Sequence, residues 1–185
     1  MGLAVFGIVL VTAAAVLGYG VVIYNGLVSL SHAMERAWAN IDVLLKQRHD
    51  ELPKLVETVK GYMQHEREVL TGLTEARTRF AGAQTVNEKG DADGAVQQAL
   101  SRLFAVAENY PELKADGAFS GLQERISALE EQIADRREFY NHSVNAYNVR
   151  IEQLPDLFVA RFLTYSAADL FEVSRADRAD VRISF

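Results

Sequence analysis

The sequence predicts an all-α protein: an N-terminal transmembrane helix followed by an up-and-down antiparallel bundle of about four long helices. Three observations predict it. Residues 3–23 (LAVFGIVLVTAAAVLGYGVVI) carry no charged side chain, and about 31 Å of helix matches a bilayer core of roughly 30 Å. After Leu27, apolar residues recur at steps of three and four along most of the chain, the period of a helix with one buried face. The 185 residues include only three prolines, and the abundant Ala, Leu, Glu and Gln are strong helix formers.

Residues 1–24 form the anchor. No Lys or Arg precedes the apolar run, and cleavage after the small residues Ala13 and Ala15 would leave the apolar stub VLGYGVVIYNG, so the segment reads as an uncleaved anchor rather than a signal peptide. Phe6 stands where an N-myristoylation motif needs Ser or Thr. Arg36, Lys46 and Arg48 follow the span, which favours an external N-terminus and a cytoplasmic body. Tyr19 and Tyr24 suit the membrane–water interface. Ala14 and Gly18 supply one small-xxx-small face for close helix approach. Membrane lipid is thus the first expected partner.

Residues 25–170 form the bundle. A first seam runs through Leu27, Leu30, Met34, Ala37, Trp38, Ile41, Leu44 and Leu45, with Glu35, Arg36, Asp42, Lys46 and Arg48 on the polar face. At Asp50-Glu-Leu-Pro53 two readings stand open. Asp50 can cap a new helix that carries Pro53 in its first turn, making a reversal; or one helix continues with a kink at Pro53, since the seam phase runs on through Arg48 to Leu52. The next seam covers Leu52, Leu55, Val59, Tyr62, Met63, Val69, Leu70, Leu73, Ala76 and Phe80. Gly61 and Gly72 interrupt it at a cost of roughly 1 kcal/mol each, and close approach of a neighbouring helix is their expected use. Residues 84–94 (QTVNEKGDADG) read as a polar linker in which Asp93 caps a third helix through Val96, Leu100, Leu103, Phe104 and Ala107. A loop is expected over 111–118. The fourth helix is the most regular: Phe119, Leu122, Ile126, Leu129, Ile133, Tyr140, Val144, Tyr147, Ile151 and Leu154, with Arg136 and Arg137 filling one slot. Pro155 ends it, and a short apolar helix is expected over 157–170. Residues 171–185 form an extended tail, because Val181, Ile183 and Phe185 alternate with polar residues at strand period.

A net charge of −6 argues against nucleic acid as a partner, since phosphate neutralisation needs clustered Lys and Arg. The absence of cysteine excludes disulfides, thiolate nucleophiles and cysteine-ligated metals. No histidine among His32, His49, His65 and His142 follows a Glu by three residues, which removes the carboxylate-bridged di-iron pattern. No His-Glu-x-x-His, Gly-x-Ser-x-Gly or phosphate-loop motif occurs. Glu138–His142 and His65–Glu68 read as solvated pairs. Asp91-Ala-Asp93-Gly94 opens like a calcium loop but lacks its closing Glu. The sequon at Asn141 falls inside a helix and reads as chance. No catalytic residue, metal ligand or cofactor is expected.

The residues YNGLVSL from Tyr24, AWANIDVLLKQRHDELPKLVETVKGYMQHE from Ala37, AENYPELKA from Ala107 and R-x-x-YN-x-x-V-x-x-YN-x-x-I from Arg137 to Ile151 together resemble the bacterial LemA family over nearly the whole chain beyond the anchor. Two departures are Leu44-Leu45, where Gln-Leu is usual, and Ser31, where a basic residue is common. The resemblance implies a membrane helix joined to a helical bundle, with a short N-terminus outside and the body inside the cell. It implies no enzymatic activity and carries over no site residues.

Three functional readings follow. The first is a non-enzymatic, membrane-anchored scaffold that self-assembles as a homo-oligomer. Its contact surface is expected along residues 38–62, with Trp38, Asp42, Arg48, Asp50 and Tyr62 as candidates. Trp38, the one tryptophan, otherwise reads as a packing residue. The second is an adaptor for a membrane protease or other envelope machine, with Ile183 and Phe185 in a tail able to add as a strand to a partner sheet. The third, an enzyme or ligand sensor with a polar pocket in the bundle, has only scattered histidines behind it.

Overall fold

Helix α1 runs from Gly2 to Lys60 without interruption in the computed structural model, which describes residues 1–172. Pro53 lies inside it, so the reversal at Asp50 does not occur. A proline inside a helix costs roughly 3 kcal/mol. The seam that surrounds it outweighs that cost: Leu45, Leu52, Leu55 and Val59 are each buried at steps of three, four and seven, and each such side chain contributes about 1.5–3 kcal/mol on burial. The helix ends instead at Lys60, and residues 61–66 form turns before α2 (Arg67–Gly82). The expected single helix over 51–80 is therefore two.

Three residues separate α2 from α3 (Val86–Ala107). The polar stretch 84–94, expected to be a linker, is almost wholly helical. The reason is local: Thr85 is the N-cap, its Oγ1 accepting from the Glu88 amide at 3.2 Å while Glu88 Oε2 accepts from the Thr85 amide at 3.0 Å. This reciprocal arrangement satisfies two otherwise orphaned donors. These backbone donors, Thr85 first and then Gln84, hold the Glu88 carboxyl below its ordinary range. Thr85→Ala should cost about 1 kcal/mol and fray α3 back toward Gly90, a change readable by amide hydrogen exchange.

The loop expected over 111–118 contains a single helical turn, α4 (Pro111–Lys114). Helix α5 (Gly117–Glu152) matches the most regular seam closely. Helix α6 (Asp156–Phe162) is shorter than the expected 157–170. It stops because Thr164 takes a positive φ of 57°, and the Tyr165 amide donates back to the Ala160 carbonyl at 3.0 Å, the bond that closes a Schellman-type helix end. All six helices and the absence of strands among the described residues make the protein all-α. Ile183 and Phe185, with the strand-period tail, lie outside the described residues.

The chain divides into two compact units. One comprises Met1–Trp38 and Phe139–Ala168. Its core joins Ile23 and Leu27 of α1, Tyr147 and Ile151 of α5 and Ala160 of α6. Asn148 fastens the chain after α6: its Nδ2 donates to the Ala168 carbonyl at 2.9 Å and its Oδ1 accepts from the Ala168 amide at 2.8 Å. Trp38 packs on Tyr140, ring centroids 5.4 Å apart. The other unit comprises Ala39–Glu138 and continues from Asp169. Its core draws Leu52, Leu55 and Val59 from α1, Val69 and Leu73 from α2, Val96, Leu100 and Leu103 from α3, Leu113 from α4 and Phe119, Leu122 and Ile126 from α5. Neither Gly61 nor Gly72 is in close contact: a Cβ added at either meets nothing within 4 Å, so the close-approach reading of both is wrong. Gly61 marks the turn, and Gly72 lines an open groove.

Candidate membrane face and buried charge network

In the second unit, three interior seam positions carry charge. Arg48 is 2% exposed and Asp93 is fully buried. Arg48 Nη2 donates to Asp93 Oδ1, and Arg137 Nη2 donates to Asp93 Oδ2 at 3.1 Å. Glu130 Oε1 lies 3.9 Å from Arg48 Nη1. The Arg137 guanidinium also sits 5.2 Å from the centroid of the Phe171 ring, a cation–π distance. Helices α1, α3 and α5 each supply a member. Asp93 is thus an interior counter-charge and not a helix cap. Both of its oxygens accept from guanidinium groups. Burial pushes the Glu130 carboxyl above its ordinary range, Arg48 pulls it down and Asp93 pushes it up again. The folded state therefore holds the Glu130 proton longer than the unfolded chain does, and stability falls as pH rises from 4.5 through that window.

The candidate contact residues separate. Arg48 is interior and offers no surface. Asp42 is half-buried and paired with Lys89. Asp50 is exposed. Tyr62 is exposed, and its hydroxyl donates to Asp116 Oδ2 at 3.0 Å; that bond, with the charge of Asp116, raises the phenol's pKa. Trp38 is half-buried against Tyr140.

The histidines do not converge. His32 meets Glu35 at 3.1 Å, while His65 and His142 are exposed. His49 packs near Phe80, centroids 5.3 Å apart. Burial first, then Arg77, lowers its pKa below the ordinary 6.5, against a smaller opposite pull from Asp50. Below 6.5 the unfolded chain binds more protons at this site, so stability should decline as pH falls from 6.5. His49→Phe should flatten that decline between pH 6.5 and 5.5, measured by urea unfolding at a series of pH values. No group of three or more His, Asp or Glu among the described residues is arranged to hold a metal ion. A groove of about 320 Å³ between α2 and α3 is lined by Glu68, Gly72, Glu75, Arg79, Gln98 and Arg102 among others. It mixes both signs of charge and presents no single site.

In the first unit, α1 is the one helix among the described residues long and apolar enough to cross a membrane, and its most apolar stretch is only 6% buried. Leu3, Phe6, Ile8, Leu17 and Val22 are each largely exposed. Beside the end of this stretch, Phe158, Val159, Phe162 and Leu163 join Val16, Leu17, Gly20, Val21 and Tyr24 around an open apolar groove of about 560 Å³. Asp156 is buried at the start of α6 and accepts from Arg150 Nε.

Comparison with known proteins gives consistent results. A family model described as LemA family matches residues 37–185. The chain is similar to the magnetosome proteins MamQ 1 and MamQ 2 of Paramagnetospirillum magneticum, 24% identical over 175 residues that cover 80% of this chain and 64% of each of those. It is also similar to protein LemA of Metamycoplasma hominis, 27% identical over 165 residues, covering 86% of this chain and 74% of that protein. The chain therefore spans a little under two thirds of the length of the MamQ relatives. None of these names denotes an enzyme.

Proposed function

This chain belongs to the LemA family, and from that premise we propose that it is a non-enzymatic, membrane-anchored scaffold that self-assembles through its helical body. The observation that carries the reading is α1 itself: an exposed apolar stretch long enough for a bilayer passes without a break into residues that form the buried seam of the helical body. The buried carboxylates Asp93 and Asp156 are each paired with a guanidinium group, and the names of the relatives point to no reaction. The assembly contact is drawn from exposed residues such as Val43, Asp50 and Tyr62. The N-terminus lies outside and the body in the cytoplasm, as the distribution of Lys and Arg favours.

The test is native mass spectrometry of the full chain extracted in mild detergent. A discrete homomeric mass supports the scaffold; monomers alone overturn it. Orientation is read separately with Asp50→Cys, unique in a cysteine-free chain. Labelling by an impermeant maleimide only after the cells are opened supports a cytoplasmic body, and labelling of intact cells overturns it.

The adaptor reading rests on a different observation, the alternation of Val181, Ile183 and Phe185. An alternating apolar end can add as a strand to a partner sheet. If removing residues 181–185 leaves every co-purifying protein in place, that reading fails.

A further inference from the structure

We propose that α6 is a second membrane-embedded element, and that the groove it forms with α1 holds an acyl chain of a phospholipid. The proposal rests on the anchor reading of α1 and adds to it. Residues 16–23 are the last eight of the apolar stretch 3–23, about 12 Å of helix, and on the anchor reading they occupy one leaflet of the bilayer. Phe158, Val159, Phe162 and Leu163 line the same groove as Val16, Leu17 and Val21. Phe158 and Leu154 are each 69% exposed and Phe162 is 86% exposed. An aromatic pair so open to its surroundings, continuous with a surface that lies in hydrocarbon, belongs to that hydrocarbon.

The charges around α6 fit this placement. The one acid in the helix, Asp156, is buried and neutralised by Arg150. Arg161 is exposed, and a long basic side chain beside Phe162 can keep its stem in the apolar layer while its head meets lipid phosphate. The groove's lining, apolar apart from the Tyr24 hydroxyl, suits a lipid chain. The space over Gly20 is open: a Cβ added there meets nothing within 4 Å. Ala14 and Gly18, the small pair suited to helix–helix approach, are not among the lining residues.

The experiment uses the full chain in phosphatidylcholine–phosphatidylglycerol vesicles with Trp38→Phe as background, so that one introduced tryptophan reports alone. Phe162→Trp is compared with Leu10→Trp, which reports on the anchor. Phosphatidylcholines brominated along the acyl chain should quench Phe162→Trp, most strongly from the shallower bromine positions, while iodide in the water leaves it bright. Phe158→Trp should behave in the same way. Iodide quenching of Phe162→Trp with Leu10→Trp still quenched by bromolipid overturns the proposal and leaves the anchor standing. Loss of bromolipid quenching at both positions overturns the anchor and the proposal together. Phe162→Cys that oxidises to a disulfide-linked dimer in the vesicles, with no bromolipid quenching of Phe162→Trp, places a second copy in the groove and also overturns the proposal.

Discussion

Asp93→Ala should lower the unfolding free energy by about 3–5 kcal/mol, because removing one partner of a buried ion pair leaves the other charge uncompensated. Arg48 is 2% exposed and donates to Asp93; without that carboxylate its nearest acid is Glu130, 3.9 Å away and half-buried. Arg137 loses a 3.1 Å bond at the same time. At roughly 2–4 °C per kcal/mol for a chain of this size, the melting temperature should drop by at least about 6 °C in circular dichroism at 222 nm. Two controls separate burial from charge. Asp42→Ala breaks the pair with Lys89, whose side chains are 46% and 19% exposed, and should cost under about 1 kcal/mol. Arg48→Met with Asp93→Leu should recover much of the loss, since replacing both members of a buried pair with apolar groups is often close to neutral. If Asp42→Ala and Asp93→Ala cost the same, the network is not what holds these helices in register.

The same network shows what could be read from the sequence and what could not. The three- and four-residue seams placed α5 and most of α1 correctly, because a buried face leaves a periodic trace. Arg48 falls on its seam between Leu45 and Leu52, and Arg137 between Ile133 and Tyr140. Asp93 also falls on one, three residues before Val96 and seven before Leu100. One acid and two guanidinium groups in seam positions of three helices are complementary, and that signal was present. It was hidden by reading Asp93 as a cap, since Asp is favoured at helix starts and Gly90 and Gly94 resemble loop residues. The true start lay at Thr85 and Glu88, whose spacing is the capping signature. Pro53 misled in the opposite direction, because an intrinsic penalty of roughly 3 kcal/mol is legible locally whereas the burial that overcomes it is tertiary. The groove beside α6 could not be found by periodicity at all: it depends on which face of a seven-residue helix meets α1.

Phe171→Ala should be comparably costly, and its partner position gives a test of sign. Phe171 is fully buried, although it lies beyond the last helix, and truncating a buried Phe costs about 3–5 kcal/mol. It sits under the Arg137 guanidinium, so the same change removes a cation–π contact. Across from it is Gly90 of α3. A Cβ at Gly90 would come within 2.4 Å of the Glu172 carbonyl oxygen, 3.3 Å of its carbon and 3.6 Å of Phe171 Cε2. The nearest atoms are backbone, so residues 171–172 must move to admit it. By helix propensity alone Gly90→Ala should stabilise α3 by roughly 1 kcal/mol; with the segment seated there it should destabilise instead and raise hydrogen exchange at 169–172. Both substitutions act on the seating of residues 171–172, so Gly90→Ala made in a Phe171→Ala background should cost less than in the unchanged chain, since the Glu172 backbone that has to move is then no longer held by the buried ring. A stabilising Gly90→Ala in the otherwise unchanged chain would mean that the segment is not held against α3.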